Sequence, residues 1–130
     1  MVDDVAGAAR DTAASCIAWY VCAMGDVYAR SLTAQGYGAE VEAIRAANPR
    51  PSPSSGRVPG EGEAVLSQLT ATGTGGQVRA QLERWDDGAD IVVIGLPPRI
   101  PWQVIETTLR AAAPEAPISD HPTLVTTTSP

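Results

Sequence analysis

The sequence predicts an α/β chain, mostly helical, with one clear buried strand at about residues 90–96. Two observations predict it. Residues 91–94 read Ile-Val-Val-Ile, an unbroken β-branched run of the kind found in strands covered on both faces, where a half-exposed strand would alternate with polar residues. The flanking segments, 75–87 and 101–113, both carry helical periodicity, so the chain closes as helix, strand, helix.

The elements follow in order. Residues 3–35 read as helix, with Ile17, Val21, Met24, Tyr28 and Leu32 recurring at steps of three and four. Gly25 interrupts the stripe and is expected to kink or divide it, because glycine costs about 1 kcal/mol against alanine inside a helix. Gly36 and Gly38 stop it. A second helix is predicted over 39–47, with Val41 and Ile44 inward. Residues 48–62, NPRPSPSSGRVPGEG, have no periodicity; 49–59 are expected to be mobile, with no apolar face to dock. A third helix is expected over 61–69, with Val65, Leu66 and Leu69 on one face. Thr74 is a natural N-cap for a fourth over 75–87, on which Val78, Leu82 and Trp85 share a face. Gly88 ends it before the strand. Pro101 fits the first turn of the last helix, 101–113, whose Trp102, Ile105, Leu109 and Ala112 fall together. Trp19, Tyr20, Tyr28, Trp85 and Trp102 all fit core-facing helix positions. Residues 115–130 are rich in Pro, Thr and Ser and are expected to form a disordered tail.

Composition narrows the function. The chain has 130 residues, one domain's worth, and a formal net charge of −6. Its nine basic residues are all arginine and do not cluster, which argues against nucleic acid and anionic membrane as partners. No apolar run approaches the roughly 20 residues of a membrane span, and the acidic start lacks the order of a signal peptide, so a cytoplasmic location is expected. The 26 Leu, Ile and Val residues and the 21 Ala, with no Phe, promise a core of small side chains. Cys16 and Cys22 lie about 9 Å apart along a helix axis, too far for a disulfide. Two buried thiols are the simpler reading, and no metal pattern joins them to the lone His121.

Gly73, Gly75 and Gly76 before a helix resemble a phosphate cradle. The specific versions fail: a P-loop needs a lysine, and a dinucleotide fingerprint needs glycine where Val78 stands. A structural turn capped by Thr74 is the better reading. Asp86, Asp87 and Asp90 read as a solvated cluster at a helix end.

Two long stretches carry a family resemblance. GTGGQVRAQLERWDDGADIVVIGLPP followed by PWQVIETTLRAAAP resembles the closing part of the bacterial luciferase-like flavin- and deazaflavin-dependent oxidoreductases, which typically show GTPExVxxxLxxW, then aGaDxvxl, then a final helix. Upstream, MGDVYARSLTAQGYGAEVEAIRAA resembles the helical segment that the family places before its last barrel strand, and the wording IGLPP is similar to branches using coenzyme F-420. The resemblance spans about 5–114. It implies the C-terminal portion of a TIM (β/α)₈ barrel, with 91–96 as the eighth strand and the others N-terminal to Met1. It implies hydride transfer or monooxygenation with reduced deazaflavin, or FMN as the alternative, and no metal. By fold analogy Gly95, Leu96 and Pro97 would lie on the cofactor face. The family's Pro-Glu is replaced here by Gly75-Gly76, and its main cofactor-contacting residues have no counterpart in this chain. The implied partners are the missing N-terminal barrel portion or a second copy associating through 91–94. No catalytic residue is assignable, and the chain alone is expected to be inactive. The alternative is a non-catalytic helical remnant or interaction module.

Overall fold

A computed structural model describes residues 1–2, 7–85, 88 and 90–113. The start of the first predicted helix, Asp86, Asp87, and the expected tail at 115–130 with His121 lie outside the described residues.

Six α-helices carry the fold: α1 Ala8–Ala23, α2 Asp26–Ala34, α3 Gly38–Ala47, α4 Glu63–Leu69, α5 Gly75–Leu82 and α6 Trp102–Ala112. Short 3₁₀ turns precede α4 at Gly60–Gly62 and follow α5 at Glu83–Trp85. The long N-terminal helical pattern is divided at Gly25, whose φ of 76° and ψ of −171° are strained for any residue with a Cβ. This break explains why the periodic stripe is only partly inward. Val21 and Leu32 are buried, but Met24 and Tyr28, on either side of it, are exposed.

The helices form two groups. α1 to α4 pack on one another around Val21, Leu32, Val41, Ile44, Val65 and Leu66, with the alanines of α1 allowing close approach. Ion pairs from Arg10 to Glu63 and from Arg45 to Asp26 tie helix surfaces together. Both are exposed and stabilise little. The second group is α5 on α6, a smaller cluster of Val2, Val78 and Ala111 flanked by Ala71 and Leu82.

The loop after α3 is anchored near its end, contrary to the expectation that it offers no apolar group to dock. Its lone aliphatic, Val58, is buried in the larger core. The Asn48 side chain holds the Arg57 backbone through both its oxygen and its nitrogen.

The predicted buried strand is absent, and with it the α/β assignment. Among the described residues there is no named strand, only an isolated parallel bridge between Val2 and Gly73. Residues 91–94 are exposed at 80%, 40%, 87% and 36% in order. The physical reason lies in the segment before α5. On one side of 71–73, the Met1 amine donates to the Ala71 carbonyl and the Gly73 N–H donates to the Met1 carbonyl at 3.3 Å. On the other side, Gln81 accepts from the Thr72 N–H at 3.2 Å and donates to its carbonyl at 2.8 Å. Both edges of that segment are taken, so 91–96 finds no ladder to join.

A second correction concerns α6. Of the face expected inward, Trp102 and Leu109 are exposed at 64% and 46% and Ile105 and Ala112 are half-buried, while Thr108 and Ala111 are the residues that are buried. The Thr108 hydroxyl accepts from the Val2 N–H at 3.0 Å. A buried backbone donor must be paired, and that need turns the helix away from its apolar stripe.

Candidate functional site

An open cleft of about 680 Å³ separates the two helix groups. Ile17 and Tyr20 of α1 form one wall, Val78 and Leu82 of α5 the other, and Thr70 to Thr72 and residues 91–97 complete the lining. It continues past Ile17, Tyr20 and Leu69 into a smaller hollow of about 340 Å³ beside α2. There Tyr20 and Tyr28 meet edge to face, ring centres 4.9 Å apart.

The start of α5 fixes the cleft's inner edge. Thr74 caps the helix reciprocally: its hydroxyl accepts from the Gln77 N–H, and Gln77 Oε1 accepts from the Thr74 N–H at 2.9 Å. Thr-x-x-Gln is a legible capping-box signal. Gly73, at φ 128°, turns the chain into this cap, and a Cβ there would stand 2.4 Å from Gln77 Oε1. The Gln81 clamp on Thr72 spans nine positions and has no counterpart in local sequence pattern.

Gly95, Leu96 and Pro97, expected on a cofactor face, do line this cleft. Leu96 and Pro97 are half-buried, and Gly95 is exposed with open space where a Cβ would stand. Of the acidic cluster, Asp90 is exposed, and Asp86 and Asp87 lie outside the described residues.

The cleft's chemistry is mainly apolar. Its ionisable side chains are Cys16, Tyr20 and Arg84. Burial raises the Cys16 thiol above its ordinary pKa, which keeps it protonated and a poor nucleophile near neutral pH. Arg84 is already engaged: it donates to the Ser67 carbonyl at 3.1 Å and the Gln81 carbonyl at 3.1 Å, and it stacks over Trp85. No cluster of three metal-ligating side chains occurs among the described residues.

A flat ring system could lie against Tyr20, Trp85 and the aliphatic walls. The anionic tail of FMN or coenzyme F-420 would find two cations in the lining, Arg84 and the Met1 amine, each already donating to backbone carbonyls. The residues present therefore fit part of such a cofactor and not the whole. None of the described helices is long and apolar enough to cross a membrane. No protein-family model, curated protein or solved structure matches the chain.

Proposed function

We propose that the chain is one part of a luciferase-like oxidoreductase and supplies one wall of a site for reduced coenzyme F-420 or, alternatively, FMN. The observation that carries this reading is the convergence on one cleft of Met1, residues 70–72 and residues 91–97, with α1, α5 and α6 as the next helices after them. Gly95, Leu96 and Pro97 end the last of these segments and face the cleft, where the motif resemblance expects a cofactor. In such enzymes the cofactor carries the hydride or oxygen chemistry, and the protein positions it and excludes water. This chain's contribution would be the apolar wall, with the tail-binding cations supplied by another segment. Titration with coenzyme F-420 and with FMN, followed by fluorescence, tests it. The chain alone should not saturate, and the chain co-expressed with the product of the frame encoded immediately upstream should. Micromolar binding by the chain alone would overturn the one-wall reading. No binding with the upstream product present would overturn the family reading.

A second reading is a non-catalytic interaction module. It is favoured by the crowding of exposed large apolar side chains into the last part of the chain: Ile91 to Ile94, Trp102 and Leu109.

A further inference from the structure

Residues 91–96 combine three properties that together name a partner. Their exposure alternates, with Ile91 and Val93 outward and Val92 and Ile94 half-turned toward the cleft, the period of an extended backbone. Among the described residues, no hydrogen bond joins their backbone to another segment. Unpaired charges of opposite sign stand at the two ends: Asp90 before the run and Arg99 after it, both exposed and neither in an ion pair with a described residue.

An extended, apolar, unpaired edge is a template for another strand. The charges select which strand. A parallel in-register neighbour of the same sequence would set Asp90 beside Asp90 and Arg99 beside Arg99. An antiparallel neighbour of the same sequence brings the acidic end of each run toward the basic end of the other. We infer that residues 91–96 are a self-pairing strand through which two copies of this chain associate antiparallel about a two-fold axis. Facing residues in a ladder must point to the same side, so a two-fold axis normal to the ladder passes where a residue faces its own copy. Val93, the most exposed member at 87%, is that residue. Val92 then faces Ile94 of the second copy. Positions 92 to 94 pair directly, the bend at 90 and 91 straightens to face 96 and 95 of the second copy, and Pro97 and Pro98, which lack an N–H, end the ladder. The proposal does not depend on the oxidoreductase reading, because its test needs no cofactor.

The test uses the full chain. Light scattering over a concentration series should show the mass doubling, with Val93→Pro remaining a monomer of unchanged far-UV circular dichroism. In a Cys16→Ala, Cys22→Ala background, Val93→Cys should cross-link to its own copy on mild oxidation. Paired Cα atoms in a ladder lie about 4.5–5.5 Å apart, inside the disulfide window. Arg99→Cys should not cross-link, since the two copies of that position would be about 40 Å apart along the ladder. Asp90→Arg should raise the dissociation constant several-fold, and Asp90→Arg with Arg99→Asp should restore it. A chain that stays monomeric to hundreds of micromolar would overturn the proposal. So would equal cross-linking at positions 93 and 99, a dimer that survives Val93→Pro, or a charge swap that fails to restore association.

Discussion

Asn48 and Arg57 close a ring across the loop between α3 and α4: Asn48 Oδ1 accepts from the Arg57 N–H at 2.9 Å, and Asn48 Nδ2 donates to the Arg57 carbonyl at 2.7 Å. The same nitrogen donates back to the Ile44 carbonyl at 2.7 Å, so one buried side chain both ends α3 and fixes the loop. Asn48→Ala should cost about 1–3 kcal/mol, the usual penalty for stranding buried polar groups. It should also open the Arg57–Val58 bond to trypsin. Urea titration and timed digestion check both, and unchanged stability with unchanged cleavage would contradict the clamp.

The start of α5 is open to improvement. Gly75 is the first helical residue, with Thr74 before it at φ −64° and ψ 163°, backbone that a following proline tolerates. A Cβ at Gly75 would meet only Ala111 at 3.7 Å, and one at Gly76 would meet nothing. Gly75→Pro and Gly76→Glu should each stabilise by about 0.4–1 kcal/mol through the unfolded chain, with Glu also favoured by the helix dipole. Gly73→Ala should do the reverse, given its φ of 128° and the contact with Gln77. Melting temperatures of the three variants decide the matter.

Thr108→Val keeps the shape of the side chain and removes the acceptor for the Val2 N–H. The expected loss is about 1–3 kcal/mol. Amide exchange at Val2 should accelerate in step with it. A valine variant as stable as the parent would show that water replaces the hydroxyl.

The two thiols carry a pH dependence. Burial raises the pKa of Cys16, and it raises that of Cys22 against the opposing pull of Arg45. A raised pKa in the folded chain means that the thiol form is favoured by folding. The corresponding stability is complete below the unfolded-chain thiol pKa of about 8.5 and is lost as pH rises through the folded values. Iodoacetamide should therefore label both cysteines more slowly than a free thiol at pH 8. Replacing both by alanine should flatten the fall in stability on the alkaline side. Both cysteines are free, and mass analysis without reductant should find no intrachain bridge.

Much of the helical layout was legible because periodicity reports which side chains need burial. Val41, Ile44, Val65, Leu66 and Val78 are all buried where their spacing put them. The run at 91–94 misled for a related reason. Four β-branched residues state a preference for cover but not whether a strand edge is available, and here Gln81 and Met1 occupy the edges of the segment at 71–73. α6 misled through a single bond, since nothing near Thr108 in sequence announces that Val2 needs its hydroxyl. At the cleft, the Thr72 to Gln81 clamp was not legible, because it depends on a contact between distant positions.

Because α5 and α6 pack on each other and not on α1 to α4, the chain is built as two cooperative units of unequal size. The smaller rests on three buried residues, Val2, Val78 and Ala111, and should open in sub-global excursions at a free energy below that of the larger. A single melting midpoint would then average two transitions. Asn48→Ala would register in the one governed by Ile44 and its neighbours, and Thr108→Val in the one that opens first.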